Sequence, residues 1–334
     1  MVEPRPYATS SIRATIERTA DNLEEVVSVL VEIDRVRELH FSDGHPVRGA
    51  SAIVPFGDGW LIAQDDSTHA CWWREDSTHR VRAHPSIAGL DLFDSAGGTK
   101  HLKPDIEAAC RIGGLEAPHA VLLLGSGSRP ARMRAALVTL DGEEPTSHTA
   151  ELTDLYTAVA RALEVPLEIL NLEGVCIVEG TLRWFQRGLP STGWSTGSVD
   201  LDLISVLAAV RDGADPGAVP VGKVRRYDLG NVAGVGLAVT EAATLDGQRV
   251  LVSAAAEDAP NPYDDGPVVG SALALLEDEQ VLDLGVIPTV DGLVQKVEGL
   301  AVLDWAEDGG HVIATVDQDD HTRPSLALDL HVSF

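Results

Sequence analysis

Basic residues are scarce in this chain. Lysine and arginine total 25 against 52 aspartates and glutamates, a formal net charge of −27. Nucleic acid and anionic membrane surfaces both need a basic face, so neither is expected as a partner. The acidic balance favours cations, cationic groups or plain solubility. Cysteine is scarce too. Cys71, Cys110 and Cys176 lie far apart inside apolar runs, with no Cys-x-x-Cys and no Cys/His ligand spacing. Buried inert thiols in a reducing, cytoplasmic setting are the expectation. No apolar run is long enough to span a bilayer, and Met1-Val2-Glu3-Pro4-Arg5-Pro6 lacks the apolar core of a signal peptide.

Several motifs are missing as well. No Gly-x-Ser-x-Gly sits in a strand–turn–helix setting, which excludes an α/β-hydrolase. Gly125-Ser126-Gly127-Ser128-Arg129-Pro130 lacks the third glycine and the helix of a dinucleotide site. Its amides, with Arg129, Arg132 and Arg134, would suit an anion. Asp317-Gln318-Asp319-Asp320 lacks the glycine and distant glutamate of an EF-hand loop.

What is present is a repeat. Five segments start with small residues or a glutamate and run into an apolar strand: Ala50-Ser51-Ala52, Ile106-Glu107-Ala108, Leu172-Glu173-Gly174, Thr240-Glu241-Ala242 and Val297-Glu298-Gly299. The intervals between Ser51, Glu107, Glu173, Glu241 and Glu298 are 56, 66, 68 and 57 residues. Such spacing marks a repeat architecture. After each start the chain reads as short strands separated by Gly, Asp, Pro and Asn turns. The fifth repeat is one strand short, and Arg35–Phe41 is a spare strand able to pair with the C-terminal one. That pairing would close a ring and remove its free edges. The sequence therefore predicts an all-β, five-bladed propeller of four-stranded blades over residues 35–334. Six blades is the alternative if Val26–Ile33 starts another sheet. Residues 1–34 read as a leader, partly disordered or helical. Apolar periodicity predicts helical insertions at Glu151–Leu163 and Leu203–Arg211, packed over one face of the disc.

Successive strands of a blade run antiparallel. The start of each first strand therefore shares a face with the end of the second. That places Ser51, Glu107, Glu173, Glu241 and Glu298 at one mouth of the channel with Asp65, Asp66, Arg129, Arg187, Glu257, Asp317 and His321. Clustered glutamates repel unless compensated. Three solutions stay open: a divalent cation held by Glu107, Glu173, Glu241 and Glu298, with Ca²⁺ favoured because it tolerates irregular oxygen geometry; pairing with Arg187 or Arg129; or hydrogen bonds to the amides of neighbouring blades. Ser51, Arg129, Trp194, Glu257 and Tyr263 are candidate substrate contacts. Arg187, Asp65, Asp317 and His321 are candidate catalytic groups, and His69 is a further candidate base.

Lys296-Val297-Glu298-Gly299-Leu300-Ala301-Val302 with Val316-Asp317-Gln318-Asp319-Asp320, and Asn171-Leu172-Glu173-Gly174-Val175, resemble bacterial propellers of the phytase-like and SdiA-regulated kind. The resemblance implies a propeller, often with a central Ca²⁺, and a phosphoesterase or other esterase activity. Ser51 stands where that pattern has glutamate. The functional expectation is a metal-dependent, hydrolase-like enzyme acting on a small polar molecule. The alternative is a non-catalytic propeller that binds a ligand or protein partner on the same face.

Overall fold

The structure is a computed structural model and describes residues 16–17, 29–113, 119–259, 261, 266–318, 320 and 322–334. The expected leader at residues 1–34 falls largely outside them. Five antiparallel sheets follow one another along the chain. Blade 1 comprises Ala50–Phe56, Gly59–Gln64, His69–Trp73 and Thr78–Arg82. Blade 2 comprises Ile106–Ile112, His119–Gly125, Arg134–Leu140 and Pro145–Glu151. Blade 3 comprises Leu172–Val178, Thr181–Gln186, Thr196–Leu201 and Val221–Tyr227. Blade 4 comprises Val235–Asp246, Arg249–Glu257, Val268–Glu277 and Gln280–Val286, extended by the short strands Asn231–Val232 and Ile16–Glu17. Blade 5 comprises Val297–Ala306, Gly309–Val316 and Leu326–Ser333.

The fourth strand of blade 5 is Leu30–Glu38, which pairs antiparallel with Leu326–Ser333. It starts earlier than the spare strand expected at Arg35, so the end of the expected leader belongs to the propeller. It also absorbs Leu30–Ile33, and the six-bladed alternative falls. The first strands of the five blades form a closed ring of neighbours. A five-bladed propeller follows.

Burial explains the residue choice. Second strands such as His119–Gly125 are covered on both faces by adjacent blades and read as nearly continuous apolar runs. Outer strands such as Pro145–Glu151 face solvent and are polar. The cores lie between blades, as where Ala52, Val54 and Phe56 of blade 1 meet Val121, Leu123 and Val138 of blade 2.

Two helices interrupt the pattern near the expected places, α1 (Thr153–Ala162) and α2 (Leu203–Asp212). Tyr156 and Val159 of α1 and Val206 and Val210 of α2 are buried in the core of blades 2 and 3. The Tyr156 hydroxyl donates to the Gly125 carbonyl at 2.6 Å and its ring meets Trp184 edge-on. Asp202 caps α2 by accepting from the Ser205 amide.

The repeated segment is a β-bulge. Each first strand shifts register against its second strand: between Ala50 and Ala52, Ile106 and Ala108, Leu172 and Val175, Val239 and Glu241, and Val297 and Gly299. The residues turned out of the ladder are Ser51, Glu107, Glu173 with Gly174, Thr240, and Glu298. In blade 4 the equivalent of the glutamates is therefore Thr240, not Glu241. A shift of one residue moves a side chain to the opposite face of a strand. Ser51 and Thr240 play the same part: each hydroxyl donates at 2.6 Å to the next blade, to the carbonyls of Ile106 and Val297.

Gly174 shows how tightly the bulges pack. Its φ is +75°, and a Cβ there would lie 2.9 Å from the backbone of Glu241 and Ala242 in blade 4. Gly180 has φ +82° but open space around it. Gly174→Ala is expected to cost about 1–3 kcal/mol from backbone strain plus the clash, and Gly180→Ala the strain alone. Urea unfolding of both variants checks the order; equal losses would contradict a close approach of blades 3 and 4.

Candidate active site

The starts of the inner strands and the ends of the second strands surround a cavity of about 250 Å³. Blades 1, 2, 3 and 5 and the connection between blades 1 and 2 line it; no described residue of blade 4 does. Of the lining residues, Asp65, Asp66, Asp94, Asp105, Glu107, Glu173, Glu298, Asp317 and Asp320 are acidic. Arg48, Lys100, Lys103, Arg132, Arg187 and Lys296 are basic.

The carboxylates are compensated mainly by buried cations. Lys103 Nζ bonds Asp65 and lies 2.5 Å from Asp105 Oδ1. Arg132 Nη1 donates to Asp105 Oδ2 at 2.8 Å, and the Ser126 hydroxyl donates to the same oxygen. Burial opposes ionisation of Asp105, but Lys103 and Arg132 outweigh it and hold the carboxyl below its usual range. Asp105 keeps a left-handed backbone, φ 56°, rare for a residue with a side chain. Across the cavity, Arg187 joins Glu173, 3.1 Å away, to Glu257 of blade 4, 2.5 Å away. Lys296 Nζ joins Glu257, 3.2 Å away, to Glu298, 3.0 Å away. Burial pushes Glu257 up, yet Arg187 and Lys296 hold it at about 2.

Three cavity carboxyls behave differently, Glu173 among them, which burial raises although Arg187 and Lys296 oppose it. Burial pushes Asp66 up to about 7, the Asp65 charge adds to this, and Arg48 opposes it. Arg48 Nη2 lies 3.5 Å from Asp66 Oδ2, and Asp66 Oδ1 is buried without a hydrogen-bond partner among the described residues. Burial also raises Glu107 well above the usual range, helped by the charges of Asp105 and Asp65 and opposed by Lys103. The site thus holds carboxyls raised above and held below the ordinary range side by side, the arrangement that acid–base chemistry uses.

The four glutamates expected to share a metal are not brought together. Glu107, Glu173 and Glu298 line the cavity. Glu241 is buried off it and accepts from the amides of Ala242, at 2.8 Å, and Val175 of blade 3, at 3.3 Å. The tightest acidic group is instead Asp65, Asp105 and Glu107, whose oxygens lie within 4.8 Å of one another. Lys103 already bonds two of these residues.

Asp65, Arg187 and Asp317 line the cavity. Glu257 stands behind it as the partner of two lining cations, and Ser51 is a buried link between blades. Arg129 is exposed and Trp194 half-buried, both away from the lining. His69 is also outside the lining and bonds the Thr68 hydroxyl. Tyr263 and His321 lie outside the described residues. Sequence reasoning placed Asp66 at the mouth but gave it no role, and did not select Arg48, Lys103, Asp105 or Lys296 as site residues. Asp105, Asn171 and Lys296 each stand two residues before a bulge glutamate, and that shared offset was the available signal.

The chain belongs to the Family of unknown function (DUF6910), which matches residues 99–321. No curated protein matches it. Among solved structures, the GH43 β-1,3-galactosidase BT0265 is 11% identical over 88% of this chain and 58% of its own, with a TM-score of 0.45. A protein of unknown function from Dyadobacter fermentans DSM 18053 is 11% identical over 90% of this chain and 99% of its own, with a TM-score of 0.38. The N-terminal domain of Nup159 is 6% identical over 84% and 75%, with a TM-score of 0.31. The chain thus spans little more than half of the galactosidase, and likenesses this distant carry no argument about chemistry. The phytase-like or SdiA-regulated resemblance is not confirmed by the family match. No helix among the described residues is long and apolar enough to cross a membrane.

Asp66 gives a stability test. Its folded value of about 7 exceeds the ordinary 3.8, so between these pH values the folded chain holds a proton that the unfolded chain has lost. Its contribution to stability therefore falls as pH rises from about 4 to about 7, and stays low above. Asp66→Asn should stabilise the protein at pH 8, on the order of 4 kcal/mol by linkage, with the gain vanishing near pH 4. Urea melts at both pH values measure it; a gain equal at both would contradict a protonated Asp66.

Proposed function

We propose that the cavity is the active site of a hydrolase-type enzyme acting on a small polar molecule, with Asp66 as the group that moves the proton. The observation that supports this is the setting of Asp66: a buried carboxyl on the cavity wall, one oxygen facing Arg48 and the other unpartnered. Near neutral pH such a carboxyl gives its proton to a leaving group and takes it back from water. Asp65, anchored by Lys103, orients the water. Arg187 and Lys296 are positioning residues that hold Glu173 and Glu298 against the substrate. The volume lies below the roughly 300–1,000 Å³ of drug-sized ligand sites, so the substrate is small. The lining is almost wholly polar and carries more acids than bases. Uncharged polyhydroxylated or cationic molecules suit it better than phosphates, which argues against phytate-type chemistry.

A divalent cation is not assigned a step here. Calcium would need the oxygens around Asp65, Asp105 and Glu107, where the Lys103 ammonium already sits.

Turnover of a panel of esters, lactones, glycosides and phosphate esters tests the reading. Asp66→Asn should lower kcat by about 100-fold or more with the fold intact, within the range of general acid–base catalysis. EDTA should leave the rate unchanged. If the chain binds panel members equally well before and after the Asp66→Asn substitution, and turns none over, it is a binding propeller instead. A rate that requires Ca²⁺ would put a cation in place of the ammonium.

A further inference from the structure

Far from the cavity, beside the 306–309 turn of blade 5, four polar side chains form a row across the whole sheet. Asp304 pairs with His311, His311 with His331, and His331 with Glu32, each directly opposite in the strand register. The row therefore uses all four strands, including the closing strand Leu30–Glu38. The two imidazoles stack, with ring centres 5.0 Å apart and planes 27° apart. His311 Nδ1 lies 3.0 Å from Asp304 Oδ1, and His331 Nδ1 lies 3.5 Å from Glu32 Oε2. Both rings are open to solvent, 50% and 39% exposed.

Stacked imidazoles on neighbouring strands do not need flanking carboxylates for packing. A histidine that binds a metal through Nε2 commonly directs its Nδ1–H to a carboxylate, which fixes the ring and raises its basicity. Here both rings have that second contact, from opposite sides. Each ring thus turns Nδ1 to a carboxylate and keeps Nε2 as its ligand atom. Asp34, at a bulge of the closing strand, is close enough for its charge to act on His311 and adds a further oxygen donor nearby.

We propose that His311 and His331 form a transition-metal site, for Zn²⁺ first, with Asp304 and Glu32 as positioning carboxylates and water or Asp34 completing the coordination. Imidazole nitrogen suits Zn²⁺, Cu²⁺ and Ni²⁺, whereas Ca²⁺ and Mg²⁺ take oxygen. The site is separate from the cavity and its chemistry. It has a structural consequence. A metal bound only by the folded sheet stabilises the blade that closes the ring, because one positioning carboxylate sits on the N-terminal strand and both ligands on the C-terminal half.

The test uses the full chain after EDTA treatment and dialysis. Calorimetric titration with ZnCl₂ should show one equivalent bound and thermal unfolding should move upward, while CaCl₂ at the same concentration does neither. His311→Gln and His331→Gln should each weaken Zn²⁺ binding at least 10-fold, and Glu32→Gln less. Because all three positions are exposed, the variants should fold; the electron paramagnetic resonance spectrum of the Cu²⁺-loaded chain gives a second readout, with hyperfine structure from two imidazole nitrogens. Absence of Zn²⁺ binding overturns the proposal. So does binding that both histidine variants retain, or a Cu²⁺ spectrum without nitrogen ligands.

Discussion

The extra residue at the start of each inner strand is the constraint on which the rest of the structure depends. A regular strand would pair every residue and turn alternate side chains into the cores between blades. The bulge breaks that alternation once per blade, at the same level. At Ser51 and Thr240 the freed side chain is a short hydroxyl that ties one blade to the next. At Glu107, Glu173 and Glu298 it is a carboxyl that reaches the cavity. One backbone device therefore serves both to hold the ring and to furnish its mouth.

Carboxyls brought together this way need compensation. Removing one partner of a buried ion pair leaves a charge without water, at a cost of about 3–5 kcal/mol. The compensating cations come mostly from segments that enter or leave strands: Arg48, Lys103, Arg132, Arg187 and Lys296. Those segments are free to bend, so each cation can reach two acids, as Lys103, Arg187 and Lys296 do. Asp66, Glu107 and Glu173 are the cavity carboxyls for which burial wins over compensation. They carry the reactive character of a site whose other charges are locked.

The architecture was legible in the sequence because it is periodic. Alternation, turn residues and the spacing of the five starts mark the blades, and the missing strand of the last one points to the N-terminus. The frame of blade 4 was not legible. Thr240 and Glu241 are adjacent, both fit the pattern, and only the ladder tells which is turned out. Glu241 instead illustrates the reading in which a glutamate bonds a neighbouring blade's amide. Glu173 illustrates pairing with Arg187. The cations that define the cavity lie at irregular offsets in the connections, where nothing periodic marks them. Lys103 and Asp105 become neighbours of Asp65 only when blades 1 and 2 are set side by side.

The central claim is that burial raises Asp66 and Glu107 above the ordinary carboxyl range while the cations hold Asp105 and Glu257 below it. A carboxyl-carbon NMR titration of the labelled protein reads this directly, residue by residue. The account predicts a midpoint at about 7 for Asp66 and one well above the ordinary glutamate value for Glu107, with Glu257 still ionised near pH 3. Ordinary carboxylate midpoints for both Asp66 and Glu107 would contradict it.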